Sequence, residues 1–135
     1  MALMNWTNDF SVNIKEIDEQ HKKLVGFINE LHDSFKSGRG NEVIGKILDG
    51  LVNYTKVHFS TEEKLMEKYL YPGYVRHKNE HDDLVKQVND LQGKIKSGGM
   101  VVSLEVMQFL KNWLNNHILK SDKLYGPFLN KKGIS

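Results

Sequence analysis

The stretch LVNYTKVHFSTEE, residues 51–63, decides how the rest of the chain is read. Leu51, Tyr54, His58 and Glu62 follow one another at steps of three and four residues, the period of one face of an α-helix. The stripe begins apolar and ends in an imidazole and a carboxylate, so the face that packs inward carries ligand chemistry at one end. A lone inward histidine is more often a hydrogen-bonded core residue than a ligand. The weight of this stripe therefore depends on whether others converge on it.

The chain has six histidines, His21, His32, His58, His77, His81 and His117, and five of them extend an apolar helical stripe. His21 leads into Leu24 and Ile28, His77 and His81 precede Leu84 and Val88, and His117 follows Leu110 and Trp113. His32, eleven residues after His21 and thus ~16 Å farther along a helix, has no carboxylate placed beside it and is read as structural.

Helix-breaking signals cut the chain into four long segments. The two prolines are Pro72 and Pro127, and glycines cluster at Gly38/Gly40, Gly73 and Gly98/Gly99. Helices are expected over Asp18–Lys36, with Asp18 as N-cap, over Asn41–Leu70, over Tyr74–Ser97, and from Ser103 onward. Short connections make successive helices antiparallel, so the expected fold is all-α: an up-down-up-down antiparallel four-helix bundle formed by residues 1–135 as one domain. The first seventeen residues and the last ten lack a clear period. Trp6, Phe10 and Ile14 are read as an N-terminal arm packed on the bundle, and the tail as a short C-terminal extension.

In that topology the start of the first helix, the later part of the second, the start of the third and the end of the fourth share one end of the bundle. The five histidines occupy those places. Glu62 joins them one turn after His58, and Asp122 stands five residues after His117. Five residues turn an ideal helix by ~500°, leaving Asp122 ~140° away from His117, so a wide turn or single-turn π-bulge is expected there.

With no cysteine, disulfides, thiolate metal sites, iron–sulfur clusters and cysteine nucleophiles are excluded, and any metal must be held by nitrogen and oxygen. Five imidazoles and two carboxylates overfill one ion. If both carboxylates bridge two ions and one solvent-derived group bridges as well, eleven of twelve octahedral positions are filled, leaving one open for an exogenous ligand. Ligand chemistry alone leaves the identity of the metal open. The pattern His77-Lys-Asn-Glu-His81 is not that of a zinc protease, because Lys78 stands where the general base would be.

Together, Trp6, Asp18-Glu19-Gln20-His21, His58-Phe-Ser-Thr-Glu62, His77-Lys-Asn-Glu-His81 and His117-Ile-Leu-Lys-Ser-Asp122 resemble the hemerythrin family, its single-domain bacterial members in particular. The resemblance runs from Trp6 to Tyr125 and matches at all seven ligand positions. It implies a non-haem di-iron site with an oxo or hydroxo bridge, one iron held by His77, His81 and His117 and the other by His21 and His58, with Glu62 and Asp122 bridging. It also implies reversible dioxygen binding beside His21 and His58, an oxygen pocket formed by Leu24, Phe59, Trp113, Leu114 and Ile118, and Tyr125 close to the bridging ligands.

The function expected from this is oxygen storage, buffering or delivery without turnover, with an oxygen-consuming enzyme as recipient. A di-iron oxidase, peroxidase or nitric oxide scavenger is the enzymatic alternative, and an oxygen or redox sensor the third. Five neutral imidazoles stabilise high-valent iron less than the carboxylate-rich sites of ferritin-like enzymes, which favours carriage. A net charge of +2 from 19 basic and 17 acidic residues argues against a nucleic-acid surface. No segment reaches the ~18 apolar residues of a membrane helix. A cytoplasmic monomer is expected, with Lys94, Lys96, Lys131 and Lys132 as solvated charges.

Overall fold

The computed structural model describes residues 3–38, 41–98 and 103–135. Four long helices form, α1 (Lys15–Lys36), α2 (Asn41–Lys68), α3 (Tyr74–Lys96) and α4 (Leu104–His117). A π-helical turn over Ile118–Asp122 follows, and it leads into α5 (Lys123–Lys131). α1 packs on α2 and α4, and α2 packs on α3, in the order an up-down-up-down bundle requires. Among the described residues no helix is long and apolar enough to cross a membrane.

The inward stripes bury as the periodicity requires. Leu24, Ile28 and Leu31 of α1, Leu48 and Leu51 of α2, Val88 of α3 and Leu110 and Leu114 of α4 are all within the main core. A second, smaller apolar cluster of Val12, Ile14, Ile17, Met66, Tyr125 and Leu129 closes the end of the bundle where the histidines gather. α2 stops as Tyr71 N–H reaches Met66 O at 2.8 Å and Leu70 takes a left-handed φ of 58°, the reversal that a Schellman-type helix end demands.

Three expectations need correction. α1 begins at Lys15 with Ile14 at its N-cap, so Asp18 lies inside the helix and is not its cap. Its carboxylate instead accepts from Ser11 Oγ at 2.6 Å and from Val12 N–H at 2.9 Å, tying the arm to α1. Pro127 does not end the helix: α5 runs through it from Lys123 to Lys131. Lys96 is not merely solvated, because its Nζ pairs with Asp49 of α2 at 2.9 Å.

The arm docks more extensively than aromatic packing alone suggests. Met4, Phe10 and Ile14 are buried, while Trp6 stays half-buried, with its ring centroid 5.6 Å from that of Phe10. Asn29 clamps the arm by donating to Met4 O and accepting from Met4 N–H, both at 2.8 Å. Lys123 Nζ donates to Asp9 O at 2.8 Å. Where the arm crosses α5, Gly126 is required: a Cβ there would lie 2.8 Å from Val12 O, inside contact distance.

Candidate metal centre

All five histidines expected at one end of the bundle meet there, together with both carboxylates. His21, His58, Glu62, His77, His81, His117 and Asp122 are each at most 5% exposed. Ring centroids are 4.6 Å apart for His21 and His58, 4.5 Å for His77 and His81 and 4.9 Å for His81 and His117. The helix turn at Asp122 is the one the spacing demands. The π-helical segment takes up the fifth residue, so Asp122 returns to the face of His117 and its Oδ1 lies 3.0 Å from His117 Nε2.

Both carboxylates turn one oxygen to each side. Asp122 Oδ1 lies 2.9 Å from His77 Nε2, whereas its Oδ2 lies 2.9 Å from His21 Nε2. Glu62 Oε1 is in contact with His58 Nε2, and its Oε2 faces His77 at 3.8 Å. The donors therefore fall into two groups that share the carboxylates. One consists of His77, His81 and His117 with Glu62 and Asp122, and the other of His21 and His58 with the same pair; within each group the donor atoms lie within 4.8 Å of one another.

Two observations suit this donor set to cations. The Nε2 atoms of His21, His58 and His77 and all four carboxylate oxygens are buried without a hydrogen-bond partner, a state that is costly unless something else satisfies them. In addition, the close separations match neighbouring corners of one coordination sphere. Ligands ~2.1 Å from an ion and at right angles lie ~3.0 Å apart, and His81 Nε2 and His117 Nε2 are 3.1 Å apart.

Without a cation, protons must balance the two anions. Burial opposes charging His21 and His117, yet the Asp122 and Glu62 carboxylates outweigh it and raise them to about 9 and about 10. Burial and the charge of Asp122 push Glu62 up, but the nearby histidines prevail and hold it at about 2. Asp122 is likewise held well below the usual carboxylate range against its own desolvation, mainly by His117. His81, desolvated and beside charged His117, drops to about 3.

The far ring nitrogens are held from neighbouring helices. His58 Nδ1 meets Gln20 Oε1 at 2.6 Å, His81 Nδ1 meets Glu63 Oε2 at 2.8 Å, and His117 Nδ1 meets Glu80 Oε1 at 2.8 Å. Ser121 Oγ donates to the same Glu80 oxygen at 2.6 Å, and Glu80 is held at about 2, chiefly by His117. Gln20, Glu63, Glu80 and Ser121 were not singled out by spacing. Their one sequence signal is adjacency, since Gln20, Glu63, Glu80 and Ser121 each precede or follow a candidate ligand.

Leu24, Phe59, Trp113, Leu114 and Ile118 are all buried in the main core above the cluster. Phe59 lies flat against His81, with centroids 3.9 Å apart, and tilts toward His58 at 5.9 Å, so it spans both histidine groups. Trp113 Nε1 donates to Leu84 O at 3.4 Å. On the other side Tyr125 is fully buried 5.4 Å from His77, its hydroxyl without a hydrogen-bond partner. Burial and the neighbouring Glu62 and Asp122 raise that phenol well above its ordinary value. His32 is buried away from this group, with no partner for Nδ1.

A helical bundle with two overlapping sets of buried imidazole and carboxylate donors defines a cation-binding four-helix protein. Residues 12–129 match the hemerythrin HHE cation binding domain. The chain is 45% identical over 130 residues to the bacteriohemerythrin of Methylococcus capsulatus, covering 96% of this chain and 98% of that one. It is 36% identical over 125 residues to the bacteriohemerythrin of Pseudomonas aeruginosa, covering 93% and 80%. The crystal structure of a wild-type hemerythrin superposes with a TM-score of 0.88 at 44% identity over 93% of this chain and 97% of that one. A hemerythrin variant with one leucine changed to alanine gives 0.89 over 94% and 97%, also at 44% identity. The chain belongs to the hemerythrin family.

Proposed function

We propose that this chain binds dioxygen reversibly at a di-iron centre and serves oxygen storage, buffering or delivery. The observation that carries the reading is the sharing of Glu62 and Asp122 by two histidine groups, with their four oxygens buried and without a hydrogen-bond partner. His77, His81 and His117 would hold one iron, His21 and His58 the other, and the two carboxylates would bridge them, alongside an oxo or hydroxo bridge. Once bound there, an iron pair would supply the two electrons that dioxygen accepts. Glu62 and Asp122 neutralise two of the cationic charges, which lowers the cost of holding them in a buried site.

Leu24, Phe59, Trp113, Leu114 and Ile118 supply the dry wall of the oxygen pocket. These residues would keep water and competing anions away from the metal positions. The preference for carriage over turnover rests on ligand balance: five neutral imidazoles against two carboxylates favour reversible binding over the oxidising states that oxidases and peroxidases use. Residues 1–135 would act as one domain, a monomer in the cytoplasm that passes oxygen to an oxygen-consuming enzyme. Oxygen uptake by the reduced, iron-loaded chain tests this. One dioxygen per iron pair, returned on sparging with inert gas, is the expected result, whereas continued consumption without return would establish an enzyme.

A further inference from the structure

The two histidine groups differ in what stands behind them. His81 and His117 each place Nδ1 2.8 Å from a carboxylate, Glu63 and Glu80 respectively. His58 places Nδ1 against the neutral amide oxygen of Gln20, and His21 Nδ1 is buried with no partner. A carboxylate that accepts the Nδ1–H of an imidazole fixes the tautomer, aims Nε2, and makes that nitrogen a stronger donor; an amide does the first two and little of the third.

Both carboxylates stand at the rim of the bundle. Glu80 is 38% exposed and borders an open groove of about 490 Å3 between α3 and α4, where Lys120 and Asn116 also stand. Glu63 borders a second groove of about 280 Å3 between α2 and α3, with Lys56 and Asp82 beside it. Each thus stands at the edge of a groove and reaches inward with one oxygen to a buried imidazole, Glu80 the more exposed and Glu63 only 20% exposed. Ser121, from the π-helical turn, donates a further hydrogen bond to the Glu80 oxygen and fixes it toward His117.

We infer that Glu63 and Glu80 are positioning residues that make the two metal positions unequal: the three-histidine position binds its ion more tightly and fills first, and the amide-backed two-histidine position fills second. The inference rests on the proposed division of ligands between two ions. It gives the two-histidine position the weaker donors, which suits the position that must keep a site open for an incoming ligand.

Zinc titration of the metal-free chain, followed by calorimetry and by the imidazole N–H proton signals of the loaded, diamagnetic protein, tests it. Wild type should take up two ions in two resolved steps, with downfield Nδ1–H signals from His81 and His117. Glu63→Gln and Glu80→Gln keep an acceptor but remove its charge. Each should weaken the tighter step ~10–100-fold, move its own histidine's proton signal upfield and leave the weaker step in place. Gln20→Glu should tighten the weaker step instead, an opposite sign that general loosening cannot produce. If the Gln variants leave both steps unchanged, or weaken both equally, the inference is overturned. If wild type binds a single ion or none, the division of ligands itself has failed.

Discussion

The ends of α2 and α4 deliver the same pair of groups, an imidazole followed by a carboxylate, by different backbone routes. In α2 His58 and Glu62 are four residues apart on a regular helix. In α4 His117 and Asp122 are five apart, and a π-helical turn absorbs the extra residue. Both carboxylates finish buried, facing both histidine groups. The lesson is that the face a residue occupies, and not its count along the chain, decides whether it reaches a shared centre, and that helical irregularity is placed where function needs it.

If the two ends are equivalent in function, removing either carboxylate should have the same, largest effect. Glu62→Ala and Asp122→Ala should each lose the iron pair, since a bridge lost removes two metal–oxygen bonds and leaves the cations less neutralised. His32→Ala should keep its iron. Metal analysis together with thermal melting checks this, and equal iron content in all three variants would break the comparison. Because iron binds the folded state, the two carboxylate variants should melt near the metal-free form.

Next in size is the apolar wall. Leu114→Ala should cost ~2–5 kcal/mol and speed both autoxidation of the oxygenated form and azide entry. Leu91→Ala, in the same core but on α3 farther from the histidines, is the control. Equal acceleration in both would show general loosening and remove the pocket assignment.

The routes themselves can be exchanged. Deleting Leu119, an exposed residue within the π-helical turn, gives α4 the four-residue spacing of α2. Two metals per chain should survive with a modest drop in melting temperature, and loss of metal would show that the π-helical turn does more than restore the face.

The smallest effect is electrostatic and belongs to the metal-free chain. His21 and His117 are raised above the ordinary histidine value to about 9 and about 10. Raised groups contribute stability that is fully present below about pH 6.5 and is lost as pH climbs through their folded values. The metal-free protein should therefore melt lower near pH 10 than near pH 6. The loaded form, with those nitrogens on metal, should change less. Parallel pH profiles for the two forms would contradict this.

The sequence shows the helices and the seven converging side chains because periodicity and spacing are local properties, carried within each helix. It also shows the mismatch at Asp122, since 100° per residue leaves no regular helix that accommodates it. What it hides is contact between helices. Gln20, Glu63 and Glu80 act on histidines 38, 18 and 37 residues away, and only their adjacency to a candidate ligand marks them in the local pattern. Asp18 looks like a cap because it opens a polar stretch, but the arm's own donors claim its carboxylate. Pro127 looks like a stop because a proline breaks most helices, yet α5 runs through it.

The central claim is a reversible iron pair, and one measurement meets it directly: iron content and optical spectrum of the reconstituted chain, reduced without oxygen and then cycled between oxygen and inert gas. The account predicts two irons per chain and a charge-transfer band that appears with oxygen and vanishes on its removal through many cycles. One iron per chain, or a band that bleaches irreversibly with release of peroxide, would contradict it.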